Sequence, residues 1–157
     1  MGNPFEKEFR ASLKACSETL KNFCYWRIYD TTSFRWASEN IVGIKCPCDF
    51  IAGYNGRGYF FECKSSRSRS SYSFSYIKQH QIDSMFRAEK AGLKAWFLIN
   101  NRSIPRKHTC YAIKPSTLKI LIATHEARSI KWSLLAETPR VVELGRKGKI
   151  WDLPPIL

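Results

Sequence analysis

A chain of 157 residues, 44% hydrophobic and 14% aromatic, has the length of one domain and enough apolar side chains to bury a core, which excludes a disordered tail. Its 26 Lys and Arg stand against 13 Asp and Glu, and a net charge of +13 points to an anionic partner, with nucleic acid first. No apolar run reaches membrane-spanning length and the amino terminus lacks the basic and apolar regions of a signal peptide, so the chain reads as soluble and cytoplasmic, or as working in the host cytoplasm if phage-encoded.

Asn3-Pro4-Phe5-Glu6 reads as a helix start: Asn3 caps, Pro4 fits the first turn, and Glu6 falls at the reciprocal capping position. Phe5, Phe9, Leu13, Cys16 and Leu20 recur every three or four residues and predict a helix with one inward face, ending near Asn22. Cys24 to Tyr29 reads as a strand. Thr31 to Pro47 reads as irregular, with a short strand over Ile41 to Ile44.

Phe50 to Phe61 holds two strand-like runs around Asn55-Gly56, a strong hairpin signal. A two-residue loop sets Tyr54 opposite Arg57 and Asp49 opposite Glu62. A four-residue loop over 55–58 sets Asp49 opposite Lys64. In both registers Asp49, Glu62 and Lys64 share one face, because side chains alternate along strands. Two carboxylates gathered on a mostly apolar hairpin repel unless a cation lies between them, and hard Mg²⁺ suits oxygen ligands.

Ser65 to Ser75 contains seven serines with Arg67 and Arg69 among them and reads as a loop. Tyr76 to Ala91 has helical spacing of Ile77, Gln81, Ile82, Met85, Phe86 and Ala88, and Gly92 is placed to end it. Strands are predicted over Lys94 to Asn100 and His108 to Ile113. A helix follows from Pro115 to about Thr124, then a strand or small hairpin between Val141 and Trp151. Strands on both sides of a helix predict an α/β fold, a mixed central β-sheet flanked by helices, over residues 1–157 without a domain boundary. The six cysteines read as reduced, buried thiols: Cys46-Pro47-Cys48 is too tightly spaced for zinc, and Cys63 lies opposite the Glu62 and Lys64 face.

Asp49, a gap, then Glu62-Cys63-Lys64 resembles the PD-(D/E)xK nuclease signature, with Cys48 where the pattern has proline. From Asp49 to Met85, with Gly-Tyr-Phe-Phe-Glu-Cys-Lys, the serine-rich stretch and His80-Gln81, the chain is similar to the RecU branch of Holliday junction resolvases. Gly2 to Glu6 agrees more loosely with the opening helix of RecU and of archaeal Hjc. The resemblance implies a restriction-endonuclease-like fold and a metal-dependent endonuclease that resolves four-way DNA junctions as a homodimer, two symmetric cuts needing two active sites. It implies Mg²⁺, with Mn²⁺ as a substitute, and no small-molecule cofactor.

On this reading Asp49, Glu62 and the main-chain carbonyl of Cys63 are metal ligands, where a cation lowers the pKa of water and polarises a phosphate oxygen. Lys64 orients the water or neutralises developing charge. Gln81 faces the site by resemblance, and by its position alone is also a core amide in need of partners. Glu6 is either a fourth acidic group or a helix-capping carboxylate. Arg67 and Arg69 are expected on DNA phosphates, joined from the preceding segment by Lys45, Arg35 and Arg27. The rivals are a restriction-like or repair nuclease on duplex or flap DNA, and a non-catalytic DNA-binding protein of the same fold.

Overall fold

The computed structural model describes residues 3–29, 46–124 and 128–157. Arg35, Lys45 and the strand expected over Ile41 to Ile44 lie outside the described residues.

Asn3 caps helix α1 (Pro4–Thr19), its Oδ1 accepting the Phe5 N–H at 3.0 Å. The helix stops three residues before Asn22, which takes a positive φ of 59° on the way into strand β1 (Phe23–Arg27). Strands β2 (Phe50–Tyr54) and β3 (Arg57–Ser66) form the expected hairpin. Asn55 and Gly56 both have positive φ, 48° and 75°, which fits the twist of a two-residue turn. The two-residue register is the one observed, with Tyr54 opposite Arg57 and Phe50 opposite Phe61.

The serine-rich stretch departs from the expected loop. Ser65 and Ser66 complete β3, and Ser71–Ser73 form a strand, β4, followed by a 3-10 turn over Phe74–Tyr76. Helix α2 (Gln79–Lys90) is therefore shorter than expected, and it ends as predicted at Gly92, whose φ is +90°. Strands β5 (Lys94–Asn101) and β6 (Thr109–Ile113) and helix α3 (Pro115–Thr124) follow. Strand β7 (Ser129–Lys131) and helix α4 (Trp132–Glu137) carry no signal in the sequence reading. The tail supplies strand β8 (Val142–Leu144) and a hairpin of β9 (Arg146–Lys147) and β10 (Ile150–Trp151), which is both of the expected alternatives.

The central sheet has the order β1-β2-β3-β5-β6-β8. Among the described strands of this sheet only β3 and β5 run parallel; α2 makes the crossover between them. This is the mixed sheet flanked by helices that the alternating pattern predicts. On one face α1 packs Phe5, Phe9 and Leu13 against Phe50, Phe61 and Trp151, with the Phe9 ring edge-on to Phe50 and Phe61. The other face is covered by α2 and α3 through Ile82, Met85 and Leu118 over Phe97 and Ile99. The tail is tied back: Trp96 Nε1 donates to the Ile156 carbonyl and the Trp151 N–H to Ser12 Oγ. Among the described residues no helix is long and apolar enough to cross a membrane.

Candidate active site

Alternation along β3 sends Phe61 and Cys63 into the α1 core and Glu62 and Lys64 to the α2 side. Glu62 is only 2% exposed. Two donors converge on its Oε1: Lys64 Nζ at 2.8 Å and Gln81 Nε2 at 2.6 Å. The Gln81 amide is oriented from its other end, where Oε1 accepts the Lys78 N–H at the start of α2. The helix terminus thus fixes the glutamine, and the glutamine fixes the glutamate.

Asp49 stands just before β2 and is held from both neighbouring strands. Its carbonyl accepts the Ile28 N–H, and its own N–H donates to the Phe61 carbonyl. Its Oδ2 accepts the Cys63 N–H at 2.7 Å. The bond to Phe61 is one residue away from the Asp49–Glu62 pairing that the hairpin register extrapolates to, so the ladder slips at its end. The slip swings the aspartate onto the main chain between Glu62 and Lys64.

The electrostatics bind these groups into one cluster. Burial, then the Asp49 charge, pushes the Glu62 carboxyl up to about 7, against the opposing pull of Lys64. Glu6, on α1, is raised for the same two reasons, burial first and Asp49 second, with Arg27 and Lys64 opposing. Ser65 Oγ donates to Asn3 Oδ1 and so joins the α1 terminus to β3. Burial chiefly raises the Cys48 thiol to about 12, and that of Cys63 well above its usual range, so both stay neutral. All six cysteines are free thiols. Cys24, expected in the core, is exposed instead, because it lies on the outward side of the edge strand β1.

Several expected contacts are arranged otherwise. Arg27 Nη2 lies 2.7 Å from Glu6 Oε2 and its guanidinium sits over the Tyr29 ring, so this cation steadies the acidic cluster from within the protein. Arg67 and Arg69 are exposed beyond the end of β3, outside the acidic cluster, and His80 is half-buried at the start of α2. Sequence reasoning missed what organises that region: Trp132, whose Nε1 donates to the Ser68 carbonyl and whose N–H donates to Ser70. Among the described residues no three His, Cys, Asp or Glu side chains converge as a preformed metal cage. The donor set still suits a hard cation: burial first and the Asp49 charge second raise the Glu62 carboxyl, and a divalent ion beside the two carboxylates would offset both.

The site is thus a strand-borne Glu-X-Lys beside a fixed aspartate, on a mixed sheet flanked by helices. The chain itself belongs to the RecU family: the family of recombination protein U matches residues 27–154, from β1 to the last turn of the tail, and it is a family of Holliday junction resolvases. Glu6 lies before the matched residues. Among solved structures the chain is similar to Hjc of Archaeoglobus fulgidus, a Holliday junction resolvase from an archaeal hyperthermophile, at 17% identity over 87% of this chain and 93% of that one, with a TM-score of 0.49. No curated protein matches the sequence.

Proposed function

We propose that the protein resolves four-way DNA junctions as a homodimer, by Mg²⁺-dependent hydrolysis of one phosphodiester in each of two opposed strands. The observation that carries this reading is the Glu62–Lys64–Gln81 cluster locked beside Asp49 in a chain of net charge +13. Asp49, Glu62 and the Cys63 carbonyl would hold the ion. When bound, it supplies a lowered pKa to an attacking water and polarises the phosphate oxygen.

The chain's own residues do the rest. Gln81 holds Glu62 in one rotamer, and the bonds from Ile28, Phe61 and Cys63 hold Asp49, so both carboxylates meet the ion already oriented. Lys64 places a compact positive charge at the same carboxylate, where it can neutralise charge developing on the phosphate. Glu6, steadied by Arg27, adds a third carboxylate at the rim. Arg67 and Arg69 project from the strand that carries the catalytic pair and meet the phosphate backbone. Twofold assembly supplies the second centre for the second cut.

Cleavage of matched four-way junction, flap and linear duplex with Mg²⁺ tests the reading, alongside the solution mass of the protein. A dimer that nicks opposite strands of the junction at equivalent positions, and prefers it to duplex, supports a resolvase. Equal cutting of linear duplex, or a strict monomer, favours a restriction-like enzyme. Tight binding with no cutting in Mg²⁺ or Mn²⁺ favours a silent DNA-binding protein.

A further inference from the structure

Strand β4 lies directly after the catalytic strand in the sequence, yet its partner, β7, comes from the carboxyl-terminal third. They pair antiparallel, Ser71 with Lys131, Tyr72 with Ile130 and Ser73 with Ser129. Alternation turns Tyr72 and Ile130 inward, at 0% and 1% exposure, and turns Ser71, Ser73, Ser129 and Lys131 outward. Arg128 is exposed at the end of this ribbon, where its carbonyl accepts the Phe74 N–H. The loop carrying Arg67 and Arg69 leads into the ribbon and is pinned to it by Trp132, through Ser68 and Ser70.

The ribbon adjoins the active site. Tyr72 is buried in one cluster with Cys48, the neighbour of Asp49, and Ile82, the neighbour of Gln81, and the Glu62 charge, after burial, helps to raise its hydroxyl. Its chemistry is one-sided: the loop and the two strands, residues 67–73 and 128–131, contain Arg67, Arg69, Arg128 and Lys131 and no Asp or Glu. Cations interspersed with serine hydroxyls on a rigid two-stranded surface suit oxygen anions spaced along a backbone.

We propose that the β4–β7 ribbon, through Arg128 and Lys131 next to Arg67 and Arg69, is a contact surface for the phosphate backbone of the DNA arm beside the cut. The inference rests on the nucleic-acid reading of the site. It extends the DNA interface to a part of the chain in which the sequence carries no motif. Because a fixed ribbon presents these cations, they meet the backbone with less loss of side-chain and loop freedom than on a mobile loop.

The test is the salt dependence of binding to a four-way junction, measured without divalent metal. Each lost phosphate contact lowers the slope of log K against log salt by about 0.9, so Arg128→Ala/Lys131→Ala should flatten it by about 2. The charge-keeping pair Arg128→Lys/Lys131→Arg should retain the wild-type slope, as should Lys147→Ala/Lys149→Ala on the hairpin that packs against α1. The proposal is overturned if the alanine pair keeps the wild-type slope, or if the charge-keeping pair loses as much as the alanine pair. A wild-type protein that binds steeply but cuts no junction, with a flattened slope in the alanine pair, sinks the resolvase reading and leaves the ribbon standing. Junction cutting together with an unchanged slope does the reverse.

Discussion

Phe61 and Glu62 are neighbours on β3, and they serve opposite faces of one sheet. Phe61 joins Phe5, Phe9, Phe50 and Trp151 under α1, where rings meet edge to face and few polar groups intrude. Glu62 is buried as completely, but among charges, with Lys64 and Gln81 on one oxygen and Asp49 close by. The aromatic face tolerates exchange of shapes at a cost set by volume. The charged face is specified atom by atom, because an unpaired buried charge costs far more than a misfitted methylene. Both faces carry buried apolar side chains, but along β3 the alternation sets a ring that holds the α1 core beside a carboxylate of the candidate site, and substitutions at the two should fail in different ways.

The largest contrast is between Glu62→Ala or Asp49→Ala and Phe9→Ala. Either carboxylate variant should lose cleavage while junction binding persists, since the loss falls on the metal and not on the basic surface. Phe9→Ala should cost about 3–5 kcal/mol in urea unfolding, the usual toll for an aromatic ring taken from a packed core. Its remaining folded fraction should still cut. Near-normal cleavage in either carboxylate variant would remove the metal assignment, and a Phe9→Ala protein that is stable yet inactive would erase the division between the faces.

Acidity sharpens the comparison, because Glu62 titrates near neutrality and Phe61 does not titrate. Burial and Asp49 raise Glu62 to about 7 from an ordinary 4.5, so the folded protein binds this proton more tightly than the unfolded chain does. In metal-free protein the corresponding stability is fully present below about pH 4.5 and is lost as pH rises through 7, to at most about 3 kcal/mol at 1.36 kcal/mol per pKa unit. Glu6 contributes with the same sign. Urea midpoints in EDTA from pH 5 to 8 should fall for the wild type and stay flatter for Glu62→Gln. Parallel curves would show that Glu62 ionises in the fold as it does in the unfolded chain.

What the sequence reveals divides along the same lines of locality. The hairpin is legible because Asn55-Gly56 fixes its own turn, and the turn fixes which residues share a face. α3 and the Gly92 stop are legible for the same reason. The slip of Asp49 onto the Cys63 N–H is not, because it depends on how β2 is held by Ile28 and Phe61 together. Nor is β4: seven serines read as a loop until β7, far along the chain, provides the partner. Arg27 reads as a free cation from its type and turns out to pair with Glu6, twenty-one residues earlier. Composition finds the charges, and only the fold decides which of them face inward.

The smallest effect is expected at Gln81, and it separates two roles that the helix position alone leaves open. A core amide contributes stability through its bonds, while a positioning residue contributes through the ligand it holds. The structure gives Gln81 one bond of each kind: Oε1 to the Lys78 N–H at the α2 terminus, and Nε2 to Glu62. Loss of the first costs about 1 kcal/mol of stability, as helix-terminus bonds do. Loss of the second frees Glu62 to leave its rotamer and should weaken Mg²⁺ by about 10–100-fold, as when the partner of a metal ligand is removed. Gln81→Ala should therefore shift the Mg²⁺ midpoint of cleavage upward while the maximal rate at saturating Mg²⁺ recovers most of its wild-type value. A lowered unfolding midpoint with an unmoved Mg²⁺ midpoint would assign Gln81 to the core alone, and the charged face would lose one of the two donors that define it.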